Sequence, residues 1–173
     1  REHNLLHVVN RLVALRRLRV PQPRPLPIAD GGPPVTIIRP VCGLDAYEEA
    51  TLRSTFELDY PRYEILLCCA SPDDPVVPLA ERLIAEHPRV KARLLIGDDE
   101  PSPNPKLNNV VKGWRSAAYE WIVIADSNVA MPRDYLQRLL SAWQPDTGLV
   151  SAPPIGDKPE GVWAEWECAW LNT

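Results

Sequence analysis

The chain has 173 residues, of which 45% are hydrophobic, and a net charge of −4 at pH 7; this length suits one ordinary domain, and the composition excludes a disordered protein. The charge is uneven, because residues 1–27 hold six of the 19 basic residues and a single acid, which leaves the rest of the chain strongly acidic. An acidic body argues against a nucleic-acid enzyme, and no apolar run reaches the roughly 20 residues that a membrane-spanning helix requires.

The first 34 residues predict a helix followed by a tether. Residues 4–18 place apolar side chains on one helical face and end in an arginine cluster, which predicts a basic amphipathic helix over residues 1–19. This helix either packs on the domain or lies along an anionic membrane surface, and the sequence leaves both open. Residues 20–34 are rich in proline and are typical of an extended linker.

From residue 35 onward, strand and helix patterns alternate five times. Apolar and β-branched runs predict strands at 35–40, 63–70, 90–96, 121–125 and 148–152. The run at 121–125 is typical of a strand buried on both faces of a sheet. Helical spacing predicts helices at about 46–56, 76–86, 106–118, 133–143 and 161–173. The alternation predicts an α/β fold with a mostly parallel sheet and flanking helices over residues 35–173.

The four cysteines form neither a CxxC pair nor a Cys/His cluster. A zinc site and a disulfide framework are therefore both unsupported. Cys68 and Cys69 are neighbours in the second predicted strand, where successive side chains point to opposite faces. We expect both to be buried thiols of a reducing compartment.

Carboxylates follow two of the predicted strands. Asp126-Ser127-Asn128 ends the fourth strand, at the edge where open α/β sheets place their ligands. Oxygen ligands there suit Mg²⁺ or Mn²⁺, and a simple polar turn is the alternative. Asp74, before Pro75, either caps the following helix or accepts hydrogen bonds from a ligand. Asp45 is a plausible N-cap for the first helix.

Lys106 lies in the first turn of a predicted helix, where a cation opposes the helix dipole. It either faces an anionic diphosphate or is a solvated surface lysine. The sequence has neither GxGxxG after the first strand nor GxxxxGK[ST], so the glycine-rich phosphate loops are missing. The acidic turns and this lysine therefore point to a metal-assisted nucleotide-sugar site.

The last predicted helix aligns Trp163, Trp166 and Trp170 on one face. Aromatic residues at this spacing favour a face packed in the core. A border with a membrane or a lipid groove is the alternative.

Several motifs resemble the ceramide glucosyltransferase family, in the same order and at similar spacing. They are VTIIRPVCG at 35–43, FELDYPRYEILLC at 56–68, DDP at 73–75, ARLLIG at 92–97, NPKLNN at 104–109 and DS at 126–127. The resemblance implies a GT-A type nucleotide-sugar-binding fold, of which residues 35–173 form the donor-binding half. It also implies an inverting transfer of a hexose from a UDP-sugar to a lipid hydroxyl, on ceramide or a related lipid such as a hopanoid.

The resemblance implies roles for individual residues. Those implied to bind the nucleotide sugar are Arg39, Pro40, Gly43, Asp74, Lys106, Asn109 and Asp126. Asp74 matches the family's aspartate at the uridine, and Asp126 matches the aspartate of the metal and diphosphate turn. Asn128 stands where a full Asp-x-Asp has its second carboxylate, so we expect Asp126 and Asn128 to hold Mn²⁺ or Mg²⁺ together with phosphate and water. The family's general base follows later in its sequence, so no catalytic residue is expected here.

The implied partners are a UDP-sugar, a ceramide or hopanoid acceptor and a membrane surface, with no nucleic acid. The implied location of the parent protein is the cytoplasmic face of a bacterial inner membrane. Two alternatives remain. One is a non-catalytic nucleotide-binding or interaction module whose acidic turns are only caps. The other is a relative that glycosylates a polysaccharide or a quinone-like lipid.

Overall fold

The structure is a computed structural model that describes residues 31–97, 102–156, 159 and 161–171. The predicted helix at 1–19 and the linker up to residue 30 lie outside the described residues. The chain divides into two compact units, with described residues up to Gln137 in one and those from Arg138 onward in the other. The strands are β1 (Val35–Pro40), β2 (Tyr63–Cys69), β3 (Lys91–Ile96) and β4 (Trp121–Ile124). The helices are α1 (Glu48–Phe56), α2 (Val76–Glu86), α3 (Pro105–Ser116), α4 (Tyr135–Ser141) and α5 (Val162–Leu171).

The four strands form one parallel sheet in the order β3-β2-β1-β4. Ile37 on β1 pairs with Ile65 on β2 and with Val123 on β4. Every residue of β1, and all but the first of β2, is buried. Parallel strands covered on both faces need such continuous apolar runs. The predicted α/β fold with a parallel sheet is therefore confirmed.

Helices cover both faces of this sheet. On one face, α1 and α2 pack against β2 in a core cluster that includes Leu52, Leu83 and Cys69. On the other face, Cys68 lies in a separate buried cluster beneath α3. The prediction that the two neighbouring cysteines are buried on opposite faces is thus confirmed.

Gly113 permits the close approach of α3 to the sheet. A Cβ atom at this position would lie 2.5 Å from Cγ2 of Ile38 and 3.0 Å from Sγ of Cys68. Only a residue without a side chain fits there, because both distances are at or below the closest contact that Cβ atoms make.

A buried carboxylate ties β2 to the connection between α3 and β4. Glu64 is fully buried and accepts hydrogen bonds from Oγ1 of Thr36 at 2.9 Å and from the amide of Ala118 at 2.6 Å. Nζ of Lys91 lies 3.2 Å from its other oxygen. Burial by itself raises the pKa of this carboxyl, but the hydrogen bonds and the ammonium outweigh it, so the pKa lies below its ordinary value.

Two predictions about the sheet are wrong. Residues 148–152 form no strand, and the side chain of Leu149 is 82% exposed. An apolar run becomes a strand only when a partner offers its backbone groups, and β-propensity does not supply that partner. β4 is an edge strand of the described sheet and is not buried on both faces, since Ile124 is 47% exposed.

The prediction that the tryptophan face of the last helix is packed in the core is also wrong. In α5, Trp163 is 86% exposed, Trp166 58% and Trp170 76%. The helix instead buries Glu165 and Cys168, and Gly156 packs directly on Cys168. Periodicity identifies a helix, but it does not decide which face is covered. Among the described residues, no helix has both the length and the apolar character to cross a bilayer.

The start of α1 differs from the prediction. The helix begins at Glu48, and Tyr47 occupies the N-cap position without a side-chain capping bond. Oδ1 of Asp45 instead accepts a hydrogen bond from the amide of Tyr47 at 2.7 Å. Asp45 therefore orders the turn before the helix and is not its N-cap.

Candidate functional site

The predicted site residues gather at the carboxyl ends of three adjacent strands. β1 is flanked by β2 and β4, and the strand order reverses beside it. Ligands of open α/β sheets bind in the crevice at such a reversal. Asp74 follows β2, and Asp126 follows β4. The fold therefore places these two carboxylates on either side of the segment that leaves β1.

Asp74 joins the segment after β1 to the start of α2. Its Oδ1 accepts hydrogen bonds from the amide of Gly43 and from the amide of Val76, both at 2.9 Å. Gly43 has a φ of 72°, a backbone conformation that glycine adopts without strain. The second bond satisfies a free amide at the start of α2, so the predicted capping role is present. The bond to Gly43 goes beyond capping, because it fixes the loop that borders the crevice.

The thiol of Cys42 also lies at this point. A hydrogen bond with Asp74 is the main reason that its pKa lies above the ordinary value, with a smaller contribution from burial. Cys42 is nonetheless exposed. Cys42 was not among the predicted site residues, although its place within the VTIIRPVCG motif was an available signal.

Lys106 and Asp126 meet as an ion pair. Nζ of Lys106 lies 2.7 Å from Oδ1 of Asp126, and the two side chains are 58% and 52% exposed. α3 begins after Asn104, whose side chain accepts a hydrogen bond from the amide of Leu107 at 3.2 Å. The cap therefore offsets the unfavourable position of a lysine in the first turn, and the lysine faces a carboxylate.

Arg39 supports the turn that carries Asp126. It is fully buried in β1, and its Nη2 donates to the main-chain oxygens of Asp126 at 2.6 Å, Ser127 at 2.8 Å and Val129 at 2.9 Å. Its Nη1 donates to the main-chain oxygen of Thr51 at 3.1 Å. Burial lowers the pKa of the guanidinium to about 10, and nearby anionic groups oppose this effect, so it stays charged at neutral pH. Arg39 is fully buried among these acceptors, so we take its part in ligand binding to be indirect.

A second buried group lies under the same turn. Glu48 is only 3% exposed, and burial raises its pKa, while a hydrogen bond from Ser127 and the charge of Arg39 act in the opposite direction. Sequence analysis treated Glu48 as an ordinary residue of the first helix. The detectable signal was Arg39 itself, a cation inside an otherwise apolar strand, which requires buried acceptors.

The remaining predicted residues are less open to a ligand. Pro40 is buried at the end of β1, and Asn109 is 6% exposed on α3. The neighbouring Asn108 is also buried and exchanges hydrogen bonds with Ser102. Lys112, which sequence analysis missed, donates to the main-chain oxygens of Cys69 at 2.7 Å and of Gly97, and so holds the ends of β2 and β3 together.

The residues present suit a divalent cation only when it arrives with other ligands. Asp126 and Asn128 are both exposed, and an ammonium group already lies against Asp126. In the described part of the chain, no three His, Cys, Asp or Glu residues are grouped as a metal site would need. Mg²⁺ is often bound through one or two protein oxygens, with substrate phosphates and water completing its shell. The pair fits that mode of binding.

Comparison with known proteins identifies similar sequences over most of the chain. The sequence profile of glycosyl transferase family 21 matches residues 3–173. A ceramide glucosyltransferase of Komagataella phaffii is 42% identical over 121 residues, which is 68% of this chain and 24% of that protein. Ceramide glucosyltransferase 3 of Caenorhabditis elegans is 32% identical over 143 residues, which is 82% of this chain and 31% of that protein. The chain therefore spans less than a third of the length of these relatives.

A solved structure shares the fold. The mannosyltransferase PcManGT from Pyrobaculum calidifontis, in complex with GDP-Man and Mn²⁺, superposes with a TM-score of 0.57 and 26% identity. The match covers 86% of this chain and 45% of the mannosyltransferase. The expected GT-A type fold is thus confirmed by a glycosyltransferase neighbour.

Proposed function

Because this chain belongs to glycosyl transferase family 21, we propose that it is the donor-binding half of an inverting enzyme that transfers a hexose from a UDP-sugar to a lipid hydroxyl. The observation that carries this proposal is the pairing of Lys106 with Asp126 at 2.7 Å, beside the strand-order reversal. The alternative for Asp126 was a simple polar turn, and the alternative for Lys106 was a solvated surface lysine. Their meeting at the ligand-binding edge of the sheet favours a shared role in binding a diphosphate and its cation.

Different residues are proposed to bind different parts of the donor. Asp74 and the Gly43 loop that it fixes are placed to bind the nucleoside. Lys106 is placed to bind the diphosphate and to stabilise the charge that develops on it as its bond to the sugar breaks. Asp126 and Asn128 would hold Mn²⁺ or Mg²⁺, which when bound neutralises the leaving diphosphate. The mannosyltransferase neighbour in complex with GDP-Man and Mn²⁺ supports both the donor class and a divalent cation.

The acceptor part of the proposal rests on relatives. Those reported above are ceramide glucosyltransferases, which supports ceramide or a similar lipid, such as a hopanoid, as the acceptor. We place the general base that deprotonates the lipid hydroxyl beyond Thr173, as the family resemblance implies. We place the parent enzyme at the cytoplasmic face of a bacterial inner membrane, as the family resemblance implies.

Calorimetric titration tests the donor site. UDP is titrated into the chain with Mn²⁺ and again with EDTA, with GDP as the competing nucleotide. We expect metal-dependent UDP binding that Asp126→Ala abolishes. Asp59→Ala is the matched control, because Asp59 is also an exposed carboxylate paired with a cation, Arg133 at 3.2 Å, but lies before β2 at the opposite edge of the sheet.

The outcomes separate this proposal from a non-catalytic module. Binding that survives Asp126→Ala, or that needs no metal, would contradict the assigned roles. Preference for GDP over UDP would refute the UDP-sugar assignment while leaving a nucleotide-sugar site in place. Loss of binding in Asp59→Ala as well would show that the effect is general and does not report the site.

A further inference from the structure

We propose that Arg39 fixes the peptide orientations of residues 126–129, here called the 126–129 turn, so that main-chain amides of this turn bind the donor's diphosphate. This inference rests on the proposed function, because it assigns further donors to the same site. It makes Arg39 a positioning residue, and it makes the amides of Ser127 and Asn128 the ligand-binding groups.

Three carbonyl groups of the turn point at one buried cation. Nη2 of Arg39 lies 2.6 to 2.9 Å from the main-chain oxygens of Asp126, Ser127 and Val129. The side chain is fully buried, so these oxygens face the protein interior. Oγ1 of Thr51 also lies 2.7 Å from the oxygen of Ser127. The inner side of the turn is therefore saturated with carbonyl dipoles directed at positive charge.

The outer side of the turn follows from peptide geometry. The described chain contains no cis peptide bond, and in a trans peptide the N–H of one residue points opposite to the C=O of the residue before it. The inward carbonyls of Asp126 and Ser127 therefore turn the amides of Ser127 and Asn128 outward. These are the residues next to the exposed carboxylate of Asp126, so the two amides face the same side as the proposed ligand.

The peptide between Asn128 and Val129 has the opposite orientation. The amide of Val129 donates to the main-chain oxygen of Asp126 at 3.2 Å, so this N–H points inward. The carbonyl oxygen of Asn128 consequently points outward. The turn thus presents two amide donors for phosphate oxygens and one further oxygen suited to a hard cation. This partly compensates for the missing second carboxylate of an Asp-x-Asp turn.

The guanidinium is the group that this arrangement needs. It is planar and carries donors in a fixed fork, so one end reaches the turn while the other, Nη1, bonds to Thr51 and Thr55 on α1. A lysine at this position would keep the charge but would lose the fork that links α1 to the turn.

Two measurements on the full chain test the inference. In the first, ¹⁵N-labelled protein is titrated with inorganic pyrophosphate and Mg²⁺, and the backbone amide resonances are followed by NMR. We expect the amides of Ser127 and Asn128 to show some of the largest shifts. In the second, pyrophosphate and UDP affinities are compared for wild type and Arg39→Lys. We expect Arg39→Lys to weaken both about 10- to 100-fold, the range for losing charge-assisted hydrogen bonds.

Arg53→Lys is the control for the second measurement, because Arg53 lies on the same helix as Thr51 but forms exposed ion pairs with Glu49 and Glu86. Its affinities should equal those of wild type. Thermal unfolding of Arg39→Lys accompanies the titration, and if the variant does not fold, the wild-type amide shifts decide.

The possible failures are distinguishable. Wild type that binds pyrophosphate with Mg²⁺ while the two amides stay unshifted overturns this inference and leaves the donor site intact. A folded Arg39→Lys variant with wild-type affinity overturns it as well. Wild type that binds neither pyrophosphate nor UDP with Mg²⁺ overturns the proposed function of this chain, and this inference with it.

Discussion

Replacing Lys106 with methionine should change metal and nucleotide affinity in opposite directions. In the structure the ammonium of Lys106 occupies Oδ1 of Asp126 at 2.7 Å, so a divalent cation at this oxygen must displace it. Both side chains are more than half exposed. An exposed ion pair of this kind contributes about 0.2–1 kcal/mol. Removing the lysine should therefore raise the affinity of the free protein for Mn²⁺ by at most about fivefold.

The nucleotide responds in the other direction. Lys106 is proposed to contact the diphosphate, and a charge-assisted hydrogen bond of this type contributes about 1.5–3 kcal/mol. Lys106→Met should thus weaken UDP binding at saturating Mn²⁺ by about tenfold or more. Mn²⁺ binding is measured by the electron paramagnetic resonance of free Mn²⁺, and UDP binding by calorimetry.

Arg133→Met provides the matched control, because it removes the cation of another exposed ion pair, which lies away from the proposed site. It should alter neither affinity. Mn²⁺ affinity that falls in Lys106→Met would refute the competition between lysine and metal. UDP affinity that is unchanged at saturating Mn²⁺ would refute the contact between Lys106 and the diphosphate.

Three further predictions concern stability and reactivity. Glu64→Gln should cost about 2–4 kcal/mol of unfolding free energy at pH 7, because a fully buried carboxylate loses charge-assisted bonds. Its folded pKa is lowered, so the wild-type contribution is complete above the ordinary value of 4.5 and is lost as the pH falls from there through the folded pKa. In denaturation experiments from pH 7 to pH 3, the difference in unfolding free energy between wild type and Glu64→Gln should therefore shrink at low pH. A difference that stays constant with pH would contradict this reasoning. Gly113→Ala should cost about 1–3 kcal/mol through overpacking, whereas Gly148→Ala, with no atom within 4 Å of the added carbon, should be nearly neutral in the same assay. Iodoacetamide labelling, followed by mass spectrometry, should modify the exposed Cys42 before the buried Cys68, because burial raises the pKa of Cys68 to about 11. Labelling of Cys42 should slow when UDP and Mg²⁺ are present. Earlier labelling of Cys68 would count against the described packing.

Much of the fold follows from local pattern. α2 has the predicted bounds, and β1 was predicted to the residue, because a long helical period and a β-branched run between breakers are strong local signals. The alternation of strands and helices also favoured a parallel sheet, because parallel neighbouring strands need a crossover connection, which is usually a helix. The proposed site could be predicted at one edge of the sheet for the same reason, because the carboxyl ends of parallel strands share that edge.

The predictions that failed concern which segments of the chain pack against each other. The run at 148–152 has the composition of a strand, but the described sheet offers it no partner. The tryptophans of α5 have the spacing of a core face and are exposed. In both cases the local pattern describes which secondary structure or environment the residues favour. Whether they are buried depends on segments far away in the sequence, which a local pattern does not include.

The sequence by itself determined the class of fold, and it predicted the edge of the sheet for the proposed site and, through a family resemblance, the proposed site residues Asp74, Lys106 and Asp126. The tertiary structure decided how these residues are held. It pairs Lys106 with Asp126, and it buries Arg39 against three carbonyls of the 126–129 turn, 87 to 90 residues away along the chain. A charged residue in an apolar strand shows that buried acceptors must exist, but only folding brings particular acceptors to it, because hydrogen bonds form between groups adjacent in space rather than in sequence.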